Sequence, residues 1–123
     1  MSFSGTTGYS GLGVDGLVTL QTGELGAITL AAGDVTLTSA QAANGILSVT
    51  TGHAANAIVI SSAIATANPG KLYIVTNSDA ALAALIKVAG GTAITIAALN
   101  TAIVRINAAG TQVVRVTANS VMT

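Results

Sequence analysis

Residues 68–91 read NPGKLYIVTNSDAALAALIKVAGG, and the way this stretch is divided decides the fold. It contains the only proline, both lysines and one of the two tyrosines of the 123-residue chain. It also contains an Ala/Leu tract whose intrinsic propensity favours helix. Asn68-Pro69-Gly70 breaks the chain, because proline fixes φ and glycine admits positive φ. "KLYIVT" that follows is rich in β-branched and aromatic residues, Asn77-Ser78-Asp79 carries turn chemistry, and "LIKV" resumes a β-rich run. The tract between is short and bounded on both sides by such runs. The stretch is therefore read as strand, turn, strand.

The same pattern extends outward. From residue 28 onward, runs such as "AITLAAG", "DVTLTSA", "GILSVTTG", "NAIVISSAI", "TAITIAA", "TAIVRINA" and "TQVVRVTA" alternate with breaks at Gly33, Asn44-Gly45, Gly52, Gly90-Gly91, Asn100 and Asn107 to Gly110. Turn residues recurring about every 8 to 12 positions mark an all-β domain. "TSAQAANG", residues 38–45, is the exception: a helix of one or two turns closed by Gly45. Period-two alternation assigns faces, with Ile94 and Ile96 opposing Thr95, Val104 and Ile106 opposing Arg105, and Val114 and Val116 opposing Arg115. "LYIVT" is apolar on both faces, so both must be covered, as in a central strand or in one with a partner subunit behind it. The expected fold is an antiparallel β-sandwich over residues 28–123, preceded by a glycine-rich arm at 1–27 that orders on a neighbour.

Composition restricts the function classes. Charged residues are 7%, aromatics 2% and hydrophobic residues 51% of the chain, whereas ordinary soluble domains are about 25% charged. Lys71, Lys87, Arg105 and Arg115 balance Asp15, Glu24, Asp34 and Asp79, and four scattered cations build no phosphate-binding patch, so no nucleic-acid partner is expected. The longest apolar run is interrupted by Lys87 and two glycines, far short of the roughly 20 residues of a spanning helix. No basic and apolar leader opens the sequence, and the aromatic girdles of a membrane barrel cannot be made from Phe3, Tyr9 and Tyr73. The expectation is a protein made in the cytoplasm, with no membrane partner. A chain of 11.9 kDa exposes roughly 6,000 Å² by the usual size scaling, and eight charged residues cover little of it. Apolar patches on that scale mean association with other protein surfaces.

Chemistry-bearing residues are few. Gly11, Gly13 and Gly16 spell a dinucleotide fingerprint, but a glycine-rich leader precedes them and a β-like run follows, so the required strand and helix are missing. His53 is the single histidine, with no acid next to it in sequence, and is read as a solvated loop residue. There is no cysteine and no G-x-S-x-G. No cofactor, metal or catalytic residue is assigned, and the chain is not expected to be an enzyme. Arg105 and Arg115 are placed on similar faces of neighbouring strands, suited to an acid across a subunit interface.

Residues 36–117 bear a resemblance in ordered pieces: "LTSAQAAN", a strand pair, "GKLYIVTN", "IKVAGGTAITI", and "NTAIV" closing with "VVRV". This order resembles a structural module of tailed-bacteriophage virions, found in head decoration (cement) proteins and in parts of tails and fibres. "SDAALAAL" departs from the polar hairpin tip of that module. The resemblance implies a jelly-roll-like sandwich, commonly trimeric and without enzymatic activity. It implies a capsid decoration protein on the virion surface, whose partners are its own copies and the major capsid protein at subunit junctions. A tail or fibre module used in host attachment is the alternative, weakened by the shortage of aromatics for stacking on sugars. On this reading Tyr73, Val75, Arg105 and Arg115 line the subunit interface, with Tyr73 or Val75 near a threefold axis. Phe3, Tyr9 and Leu12 of the arm touch the capsid.

Overall fold

The computed structural model describes residues 27–121. Phe3, Tyr9, Leu12, the Gly11/Gly13/Gly16 pattern and all of the proposed arm except Ala27 lie outside the described residues. Ten strands and two short helices follow in the order β1 (Ile28–Thr29), β2 (Val35–Thr36), α1 (Ser39–Asn44), β3 (Ile46–Thr51), β4 (Ala57–Ile60), α2 (Ser62–Ala67), β5 (Leu72–Asn77), β6 (Ala84–Val88), β7 (Ile94–Ile96), β8 (Asn100–Ile106), β9 (Val113–Arg115) and β10 (Ser120–Val121). The chain is mostly β, as the spacing of turn residues predicts.

Local chemistry explains the helices. In α1 the Thr38 hydroxyl accepts from the Gln41 N–H at 3.2 Å, and the Gln41 side chain accepts from the Thr38 N–H at 3.0 Å. This reciprocal pair satisfies two of the donors that a helix start leaves unpaired. Gly45, at φ 82°, ends the helix in the left-handed region. Helix α2 was not anticipated, since "NAIVISSAI" reads as one strand. Ser61 stops that strand and caps the helix, its hydroxyl accepting from the Ile64 N–H at 3.3 Å. Alternating alanines then favour helix until Asn68 and Pro69.

The Ala/Leu tract is not helical. Asp79 holds the turn open, its carboxylate accepting from Ala81 N–H at 2.8 Å and Leu82 N–H at 2.9 Å. Its second oxygen accepts from the Gly52 N–H at 2.9 Å, tying this turn to the one before β4. A side chain bonded to the backbone two and three residues on outcompetes the helix propensity of so short a tract. The tract then feeds β6.

The sheet topology corrects the expected antiparallel, jelly-roll-like pairing. The chain shuttles between a six-stranded sheet ordered β1-β3-β5-β8-β10, with β9 also on β8, and a four-stranded sheet ordered β2-β4-β6-β7. The pairs β1–β3, β3–β5, β2–β4 and β4–β6 are all parallel. Ile46 faces Ile74 and Ala57 faces Leu85, so one coil takes 28 residues in each sheet, from 46 to 74 and from 57 to 85. Only the closing strands are antiparallel: β7 on β6, β8 on β5, and β9 and β10 on β8. Parallel neighbours need a long crossover. Here the crossover is a strand of the opposite sheet together with a helix, α1 before β3 and α2 before β5.

Both sheets supply one core, which includes Leu30, Leu47, Val49, Tyr73, Val75 and Val104 from the larger sheet side and Ile58, Ile60, Ile86, Val88 and Ile96 from the smaller. Ala42 and Ala65 are buried at equivalent points of the two helices, and their small side chains let each helix lie close on the coil; Asn44 of α1 is buried as well. At Gly52 any side chain is excluded, because a Cβ would stand 2.3 Å from the Ala83 carbonyl oxygen.

Candidate interaction surface

The residues nominated from sequence separate on the two faces of the larger sheet. Tyr73 and Val75 are both 0% exposed. They lie on the inner face, opposite Val104 and Ala102 of β8. They belong to the subunit's own core, so the expectation that they meet a partner is corrected. The alternate residues of the same strand carry the exposed apolar surface: Leu72 is 53% and Ile74 is 40% exposed. Shifting a strand by one residue exchanges its two faces, and "LYIVT" has apolar residues on both.

Strand register extends this surface into a band. Ile46, Ile74 and Ile103 are consecutive neighbours across β3, β5 and β8. Val116 continues the row, its N–H donating to the Ile103 carbonyl at 2.8 Å, and it is half exposed. A second row runs Leu72, Arg105, Val114. The band ends at a polar row of Ser48, Thr76 and Thr101, in which the Thr76 hydroxyl lies 3.3 Å from that of Ser48. The outer face thus presents isoleucine, leucine and valine around one guanidinium, with hydroxyls on one border.

Arg105 and Arg115 sit on adjacent strands as expected, but on opposite faces. Arg115 pairs with Val104 and Arg105 with Val114, which puts Arg115 on the inner side at the open rim of the two sheets. Its guanidinium donates to the Asn119 side-chain oxygen at 3.1 Å and to the Thr95 carbonyl of β7. Arg115 therefore ties the edge of the smaller sheet to the larger one. Arg105 alone of the pair belongs to the outer band.

The polar residues at the β1–β2, β3–β4 and β5–β6 turns serve the coil itself. Asp34 accepts from the Ala57 N–H at 2.8 Å, and the Asn56 amide donates to the Leu30 carbonyl at 2.6 Å. Buried Asn77 donates to the carbonyls of Leu82, Ile96 and Ala97 at 2.9, 3.2 and 3.2 Å. The three backbone N–H groups on Asp79 hold its carboxyl below the ordinary aspartate value of 3.8. His53 is half-buried, and its Nδ1 accepts from the N–H groups of Ala55 and Asn56 at 3.1 and 3.3 Å, an arrangement that shapes the loop. Among the described residues no three acids, histidines or cysteines gather where a metal could bind, and no helix is long and apolar enough to cross a membrane.

One feature escaped the sequence reading. Helices α1 and α2 stand side by side and leave a groove of about 410 Å³, floored by Ala42, Ala43, Ala63, Ile64 and Ala67, with Lys71 at its border. The signal for it lies in an internal repeat: "VTLTSAQAA" at 35–43 and "IVISSAIAT" at 58–66 share a strand, a hydroxyl cap and a helix, and Val35 pairs with Ile58. The Lys71 ammonium stands 5.3 Å from the centre of the Tyr73 ring. The Tyr73 hydroxyl, buried with no hydrogen-bond partner among the described residues, is pushed up to about 12 by loss of solvent.

Comparison of the chain with known protein families, with curated proteins and with solved structures finds no match.

Proposed function

We propose that the protein is a non-enzymatic structural component of a tailed-phage virion, a decoration protein that self-associates as a trimer and braces the head at junctions between major capsid subunits. The observation that carries this reading is the outer band of the six-stranded sheet. Leu72 and Ile74 of β5 and Val116 just after β9 are exposed on the outer face of this sheet, and burying such apolar surface against another protein is favourable. The resemblance of residues 36–117 to phage modules supplies the number of copies and the setting. Binding only the assembled shell stabilises it by mass action, and a small, neutral, cysteine-free chain suits that task. Arg105, in the middle of the band, would meet a carbonyl or an acid of the neighbouring copy. Tyr73 and Val75 support the band from beneath.

Light scattering on the full chain at micromolar concentration tests the association, with about three times the chain mass of 11.9 kDa expected. Ile74→Asp puts a charge into the band without touching the core and should yield the single-chain mass. A parent chain that stays monomeric refutes the trimer. Co-sedimentation with emptied phage heads, with and without the protein, tests the shell reading. Its failure would remove the capsid role.

A further inference from the structure

The α1–α2 groove is lined by residues outside the outer band, and the charges around it suggest what fills it. The described residues contain four cations, Lys71, Lys87, Arg105 and Arg115, and two acids, Asp34 and Asp79. Both acids accept from backbone N–H groups within the coil. Among the described residues Lys71 makes no ion pair with either of them, and its contact is the face of the Tyr73 ring. Stacking over an aromatic face holds an ammonium in place without neutralising it. The groove beside it is lined by alanines and Ile64 with Ser39 and Asn68 among them, and its volume of about 410 Å³ falls within the size range of ligand-holding clefts. Ala43, Ala63 and Ala67 are exposed, so this floor faces solvent.

We propose that this groove seats an extended segment of a partner protein in which an aliphatic side chain is followed by a carboxylate. The aliphatic group lies between the helices on Ala43, Ala63 and Ala67, and the carboxylate pairs with the Lys71 ammonium. The apolar floor selects the first group and the unmatched cation selects the second. This assignment rests on the proposed function insofar as it makes the groove a contact to the surface being decorated, separate from the trimer band.

The test uses the full, isotope-labelled chain and two blocked tetrapeptides, one alternating leucine with glutamate and one alternating leucine with lysine. Titrated to millimolar concentration, the leucine–glutamate peptide should shift the backbone amides of residues 39–43 and 63–71. The leucine–lysine peptide should leave them in place. Lys71→Gln should weaken the first peptide about threefold, the scale of a solvent-exposed ion pair. Ala63→Leu, a change at an exposed helical site that fills the groove, should abolish the shifts while leaving the rest of the spectrum unchanged. Absence of shifts in the groove, equal binding of both peptides, or an undiminished affinity in Lys71→Gln overturns the assignment. A chain that trimerises and sediments with heads yet shows no groove shifts refutes the groove alone. A monomeric chain that ignores heads but shows them refutes the virion role and leaves the groove assigned.

Discussion

Replacing Tyr73 with phenylalanine should make the protein more stable. The ring is fully buried in the core, and its hydroxyl has no partner among the described residues. Burying an unpaired hydroxyl costs about 1–3 kcal/mol, and phenylalanine removes that cost. It keeps the ring contacts with the core and the stacking of Lys71 at 5.3 Å. A net gain of about 1–2 kcal/mol is expected at pH 7, which for a domain of this size raises the melting temperature by roughly 3–8 °C. The pH dependence gives a second reading of the same atom. The native phenol is raised to about 12, whereas in the unfolded chain it ionises near 10. Between those values the unfolded state has lost its proton and the native state has not. Parent stability therefore falls as pH rises through this window, by about 1.4 kcal/mol per unit at most. The phenylalanine variant has no such loss at this position, so its advantage should widen between pH 9 and pH 11. Urea melts of both chains at matched concentration measure this, matching being required because the proposed association would contribute to apparent stability. A variant less stable than the parent at pH 7, or an advantage that stays constant up to pH 11, would falsify the placement of that hydroxyl in an apolar site.

Three further outcomes follow from the coil. Asp79→Asn should lower stability at neutral pH and flatten the acid limb. The parent's carboxylate contributes above about pH 4, and this is lost as pH falls through its lowered native value, so the variant's deficit in melts at pH 7 should narrow as the pH is lowered toward 3. Gly52→Ala places a methyl 2.3 Å from the Ala83 carbonyl and should cost about 3 kcal/mol or more; a urea midpoint equal to the parent's would contradict the close approach of the β3–β4 and β5–β6 turns. Arg115→Ala removes the bonds to Thr95 and Asn119 and should cost about 1 kcal/mol, with faster amide exchange along β7 and little change along β3.

What the chain reveals without its tertiary structure is the chemistry that acts over a few residues. The β-rich runs, the capping box of Thr38 and Gln41, the stop at Gly45 and the turn at Asp79 all depend on groups within about four positions of one another, and each is legible in the text. Ser61 carried a similar signal for α2, hidden because the strand before it ends in the same apolar letters. Strand direction was not legible. A period of two records that one face is buried and the other is not, and it reads identically whether the neighbour runs parallel or antiparallel. Direction is set by the crossovers through the opposite sheet, which bring Ile46 beside Ile74 over a full coil of the chain. The outer band depended on tertiary structure for a related reason. In "LYIVT" both alternating sets are apolar, so only the burial of Tyr73 and Val75 in the core shared with the smaller sheet leaves Leu72 and Ile74 outside. The groove is more distant still from local chemistry. It exists because the coil stacks two six-residue helices, each too short to stand alone, and sets Lys71 at their border.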